Sequence, residues 1–257
     1  MFLIDTHSHI YQPAFDEDRD EMIQRAKNEG INKIFLPNID LQSIPLMLSL
    51  CRNHPGVCYP MLGLHPCDVK EGYQRVLNEM RTLFAEHSFI AVGEVGIDLY
   101  WDKSTLPLQQ EAFRIQIGWA KELRLPIVIH ARDSFDEIFS ILDELHDERL
   151  TGVFHCFTGN AEQAKRIMEY NGFMMGIGGV ITYEKSGLEE VVADIPLEYL
   201  ILETDAPYLT PKPFRGKRNE SAYVKLVARK LAEAKAISTE EVAKQTSSNA
   251  LSLFNKV

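Results

Sequence analysis

The chain has 257 residues, 45% hydrophobic and 25% charged, an ordinary globular composition that can bury a sizeable core and excludes a disordered or fibrous protein. Its formal net charge is -10, from 27 Lys+Arg against 37 Asp+Glu, so bulk charge does not attract a polyanion and any nucleic acid needs a local patch or a metal. Cys51, Cys58, Cys67 and Cys156 contain no CxxC pair, and no apolar run reaches membrane-spanning length, which excludes a disulfide framework and a thiolate zinc site and leaves a cytoplasmic protein as the expectation.

In chain order, the first apolar run, FLI from Phe2, ends in DTHSH. In an extended segment residues i and i+2 project to one side, so His7 and His9 would stand together at a strand end in chelating geometry. RDEMIQRAKNEG from Arg19 is an amphipathic helix pattern ending in a glycine suited to a C-cap. The next strand patterns are INKIFLP from Ile31, VCYPMLGL from Val57 and FIAVGEVGI from Phe89, the last carrying Glu94. PIVIH ends at His130, the helix pattern SFDEIFSILDELHDER follows, and LTGVFH ends at His155. GFMMGIGG from Gly172 and LEYLILETD ending at Asp205 complete eight apolar runs. A loop rich in proline and basic residues, PYLTPKPFRGKRNES, precedes a helix from about Ala222 to Ala236, and a last helix opens with STEE, where Ser238 and Glu241 fit a capping box.

Near-continuous apolar strands alternating with helices indicate a parallel sheet covered on both faces. Eight such units, with no linker or repeat, predict an α/β protein: a (β/α)8 TIM barrel forming a single domain over residues 1–257. An open doubly wound sheet is the alternative. No GxGxxG or GxxxxGK[ST] loop follows any strand, which counts against its nucleotide-binding version.

Barrel active sites lie where strands end. The polar residues at those ends are His7, His9, His65, Glu94, His130, His155 and Asp205. Four histidines with two carboxylates exceed one tetrahedral site, so two metal ions are expected: one on His7, His9 and Asp205, the other on His130 and His155, with Glu94 bridging. A metal pair can acidify a water and clamp phosphoryl oxygens, and Asp205 is the candidate to accept the water proton. Arg215, Lys217 and Arg218 follow the eighth strand, and Arg132 lies two residues beyond His130; these cations would hold phosphate oxygens, which favours a phosphodiester over an amide. His65 is expected to touch substrate or to support a ligand, and His54, His87 and His146 to be solvated. Strand alternation from His155 would turn Cys156 away from the mouth as an inert thiol.

DTHSH, GLHP, VGEVGID, PIVIHARD, GVFHCFTG, LETDAPYL and RGKRNE, with the closing TSSNALSLF, resemble the motifs of the TatD family of metal-dependent deoxyribonucleases, in order and over essentially the whole chain. The resemblance implies a metal-dependent hydrolase barrel with His7, His9, Glu94, His130, His155 and Asp205 as ligands. It further implies 3′-to-5′ exonuclease activity on single-stranded DNA. With two divalent cations (zinc, manganese or magnesium) at the mouth, Glu94 and Asp205 are expected in catalysis, and His65, Arg132, Arg215 and Lys217 toward substrate. A monomer that takes strand ends is expected. Two departures stand out: Leu99 where the family commonly has an aromatic residue, which would alter a surface that stacks a base, and Ser221 where proline is frequent. The rival functions are a barrel hydrolase of a small phosphate ester, an aminoacyl-tRNA ester or a cyclic amide, and a non-catalytic metal-binding barrel. Deaminases and cyclic-amide hydrolases often use a carboxylated lysine on the fourth strand, where this chain has Glu94.

Overall fold

In the computed structural model, which describes residues 1–257, eight short parallel strands alternate with helices. The strands are β1 (Leu3–Asp5), β2 (Ile31–Pro37), β3 (Cys58–Met61), β4 (Val92–Asp98), β5 (Ile127–Arg132), β6 (Gly152–Phe154), β7 (Phe173–Ile177) and β8 (Leu200–Leu202). Around them run α1 (Arg19–Asn28), α2 (Ser43–Asn53), α3 (Tyr73–Glu86), α4 (Leu106–Leu123), α5 (Phe135–Leu145), α6 (Ala161–Glu169), α7 (Leu188–Asp194), α8 (Val224–Lys235) and α9 (Thr239–Leu253). Ladders β1-β2-β3 and β4-β5-β6-β7-β8 meet at two seams, where Leu62 bridges Val92 and Ser8 bridges Ala206. The second seam is held by Asp205 N–H to His7 O at 2.9 Å and His9 N–H to Ala206 O at 2.7 Å. Closure of the TIM barrel therefore brings His7, His9 and Asp205 together.

Most of the core lies between strands and helices, for example Ile127 and Ile129 of β5. A smaller cluster fills the barrel interior: Ile4, Phe35, Met61, Ala91, Val128, Val153 and Ile201, closed below by Ala250, Leu253 and Phe254. Alternation from Val128, Val153 and Ile201 turns His130, His155 and Glu203 inward above this plug, and Asp205, beyond the end of β8 with φ of +57°, is brought to them by its backbone bond to His7. Two of the segments that reach the mouth break that rule. The ladder of β1 ends at Asp5, whose carboxylate turns to Thr204, accepting from its N–H at 2.9 Å and its hydroxyl at 2.7 Å. Ile4 points inward, so unbroken alternation would send His7 outward, whereas its ring meets Glu94 inside the mouth. In β4 the register slips between Val92 and Val95. Both valines pack in the outer core, so the irregularity leaves Gly93 and Glu94 on the inner side, as a bulge beside an active site does.

The expected helices near Ala222–Ala236 and after Ser238 are α8 and α9. Only half of the expected capping box forms: Ser238 Oγ accepts from Glu241 N–H at 3.1 Å. A complete box, Asn160 with Gln163, starts α6 instead.

Gly96 has φ of +135°, and a Cβ there would lie 2.2 Å from His130 O. Gly96→Ala combines backbone strain with an overpacked β4–β5 contact, and a loss of about 3 kcal/mol is expected. Urea unfolding checks this: the midpoint should fall with an unchanged slope.

Candidate metal centre

Glu94, 2% exposed, occupies the centre of the barrel mouth. Its two oxygens face different partners. Oε2 lies 3.2 Å from His7 Nε2 and 3.5 Å from His9 Nε2, and His9 Nε2 is also 3.5 Å from Asp205 Oδ1. Oε1 lies 2.8 Å from His130 Nδ1, 2.7 Å from His155 Nε2 and 3.5 Å from His65 Nε2. The six residues expected as ligands thus converge, with His65 joining the second set. Three groups bring donor atoms close enough to hold an ion: His7, His9 and Glu94; His65, Glu94 and His130; and His7, His155 and Glu203.

Outer partners fix the rings. Tyr11 donates its hydroxyl proton to Pro37 O at 2.8 Å, so it accepts from His9 Nδ1 at 3.0 Å and leaves His9 Nε2 as a lone-pair donor toward Glu94. Asp98 Oδ2 accepts from His130 Nε2 at 2.9 Å, which leaves Nδ1 for the centre. Its Oδ1 accepts from the N–H groups of Tyr100 and Trp101, at 2.9 and 3.2 Å. Beneath the centre, the His7 and His155 rings stack at 3.8 Å, and Glu203 Oε1 lies 3.5 Å from His155 Nδ1. Gly176 leaves the room for Glu203: a Cβ there would meet Oε2 at 2.3 Å.

Burial penalises an ionised Glu94, but the His155, His65 and His7 imidazoles and the His130 hydrogen bond outweigh it and hold its carboxyl well below the usual range. Burial likewise opposes ionisation of Asp98, and its bonds from His130, Trp101 and Tyr100 bring it down to about 2. Desolvation, reinforced by His155, lowers His7, while burial pushes Asp5 up to about 7. Buried polar atoms normally have partners, yet His7 Nδ1, His155 Nδ1 and Glu203 Oε2 have none. Unpartnered donor atoms beside converging imidazoles and carboxylates fit divalent cations that accept nitrogen and oxygen.

Sequence patterning does not reveal Tyr11, Asp98 or Glu203 as part of this centre. Asp98 and Glu203 lie in the segments VGEVGID and LETD, and each is identified only by the ring it faces. The expectation for Cys156 needs correction. β6 ends at Phe154, and Cys156 has φ of +47°, so strand alternation does not govern it. Burial, then Asp205, Glu203 and Glu94, raise its thiol well above the ordinary value, so it is protonated but sits beside the centre. Leu99 is also corrected: it is 7% exposed and packs in the core, so it forms no stacking surface. Of the expected solvated histidines, His87 is exposed, whereas His54 pairs with Asp20 at 2.9 Å and His146 packs edge-on to Tyr170.

The basic residues divide. Arg132 lies over the Tyr100 ring at 3.8 Å, Arg215 over Tyr183 at 4.3 Å and Lys217 over Phe214 at 5.8 Å. Arg218 is committed elsewhere, donating to both oxygens of Asp18 at 2.7 and 2.8 Å and to Ala14 O. Hydrogen bonds from Arg218, then Arg25, hold the Asp18 carboxyl well below the usual range. A depressed native pKa contributes stability above the unfolded value near pH 4, lost as pH falls through the native one. With the network partly solvent-screened, Asp18→Asn should cost about 1 kcal/mol at pH 7. Paired urea titrations at pH 7 and pH 3 should show the gap narrowed, not abolished, at pH 3.

The family described as TatD related DNase matches residues 4–255. A metal-dependent hydrolase of Bacillus subtilis, YabD, is 42% identical over 253 residues, 98% of either chain. A Cronobacter sakazakii protein named 3′-5′ ssDNA/RNA exonuclease TatD is 32% identical over 260 residues, 99% of this chain and 98% of its own. The crystal structure of YjjV, a TatD homolog from Escherichia coli, superposes with a TM-score of 0.92 at 33% identity, covering 98% of both chains. No helix is long and apolar enough to cross a membrane.

Proposed function

The chain belongs to the TatD related DNase family of metal-dependent hydrolases, and from that premise we propose that it hydrolyses phosphodiester bonds at the 3′ end of single-stranded DNA with two divalent cations at its barrel mouth. The observation that carries the two-ion reading is the division of Glu94, one oxygen toward His7 and His9 and the other toward His130 and His155. His7, His9 and Asp205 would hold one ion, His130 and His155 the other, and Glu94 both. Such cations supply Lewis-acid polarisation of a phosphoryl oxygen and acidify water.

The protein's own groups do the rest. Asp205, at the rim of the centre with a partly open carboxylate, accepts the proton of the attacking water. Tyr11 and Asp98 hold His9 and His130 in the tautomers that leave a lone pair toward Glu94. Arg132, Arg215 and Lys217 offer cationic donors to phosphate oxygens near the mouth, where an otherwise acidic protein needs them. The nucleic-acid substrate is supported by the exonuclease name of the Cronobacter relative.

The test is nucleotide release from 3′- and 5′-labelled single-stranded DNA, with magnesium, manganese or zinc added to metal-stripped protein, beside Asp205→Asn. Metal-dependent shortening from the 3′ end that vanishes in the variant is expected. Intact DNA with rapid cleavage of a small phosphate ester would transfer the reading to that substrate class.

A further inference from the structure

The two most exposed large hydrophobic side chains of the molecule sit at the exit of the strand that carries Glu94. Trp101 is 72% and Tyr100 56% exposed, and their rings meet edge-on at 5.0 Å. Arg132 rises from β5 two residues beyond His130, on the same side of the strand, and so about 6.6 Å higher above the centre. Its guanidinium lies over the faces of Tyr100, at 3.8 Å, and Trp101, at 5.7 Å. It enters no ion pair with the protein. Solvated indole and phenol rings are costly to leave open in water, and here they stand one side chain from a proposed metal ligand.

Asp98 fixes this platform to the centre. One oxygen holds the Tyr100 and Trp101 N–H groups, and the other holds His130. The rings and the ligand therefore share one rigid anchor. An aromatic pair with a cation laid on it suits a flat heteroaromatic ring linked to an anion, and every unpaired nucleobase offers both. A duplex hides its base faces and a small phosphate ester has none.

We propose that Trp101, Tyr100 and Arg132 form a stacking subsite for one unpaired nucleobase near the scissile end of the strand. This rests on the nucleic-acid reading of the centre, and it makes the preference for single strands a property of this platform. Stacking on any base face is tolerant of sequence, so the four bases are bound with similar strength.

The experiment uses oligodeoxynucleotides with one abasic site placed in turn at each of the last four 3′ positions. For the wild type, one position should raise KM about tenfold over the intact strand. In Trp101→Ala that ratio should fall to about one, and Trp101→Phe should restore most of it. The second reading is intrinsic fluorescence in EDTA. The chain has two tryptophans, and Trp119 is 7% exposed, so quenching by a single strand reports Trp101 and should vanish in Trp101→Phe. Hydrolysis indifferent to every abasic position would overturn the subsite and leave the nuclease intact. Quenching without hydrolysis would keep the subsite and remove the reaction.

Discussion

Glu94→Gln should reduce hydrolysis by roughly 10³-fold or more, since losing one ion of a metal pair removes about 4 kcal/mol of transition-state stabilisation. Glutamine keeps the shape of the side chain but replaces one oxygen by an NH2 group. In the native arrangement one oxygen meets His7 and His9 and the other meets His130, His155 and His65. Either orientation of the amide points hydrogens at one of those sets, so one half of the centre loses its shared anion. Metal content after dialysis should drop from two equivalents to at most one, in step with the rate. Two tightly held ions in a folded Glu94→Gln protein would sink the bridging role.

The alternation of apolar runs and helices was enough to place the eight strands, and Ile31–Pro37 stands as read from the sequence. The histidines that converge on Glu94 were legible because the mouth of a barrel is where strand ends must be. What stayed hidden depends on departures from strand periodicity or on contacts between distant segments. Glu94 points inward through the slip between Val92 and Val95, which no period-2 reading contains. Strand alternation does not reach Cys156 because β6 ends at Phe154, two residues before it, and the backbone turns left-handed there. Asp98, Glu203 and Tyr11 each look like an ordinary polar residue until the ring they orient is in view. Leu99 drew notice as a departure from a family pattern, whereas its neighbours Tyr100 and Trp101 carry the exposed aromatic surface.

Asp98 is the position where a one-atom change should be felt in two measurements. Its carboxylate accepts at both oxygens: from His130 Nε2 at one, and from the Tyr100 and Trp101 N–H groups at the other. Asparagine has a single acceptor oxygen. If that oxygen stays on the loop, the NH2 group faces His130 Nε2, which must then accept; the ring proton moves to Nδ1, the atom 2.8 Å from Glu94, and the ligand lone pair is lost from the centre. A fall of about 10- to 100-fold in metal affinity follows. If the oxygen instead stays on His130, the NH2 group opposes two backbone donors, the aromatic loop is released, and the abasic effect on KM disappears while metal binding survives. Calorimetric metal titration beside the abasic series separates the two cases. A folded Asp98→Asn protein with wild-type metal affinity and an undiminished abasic effect would show that Asp98 neither orients His130 nor anchors the platform.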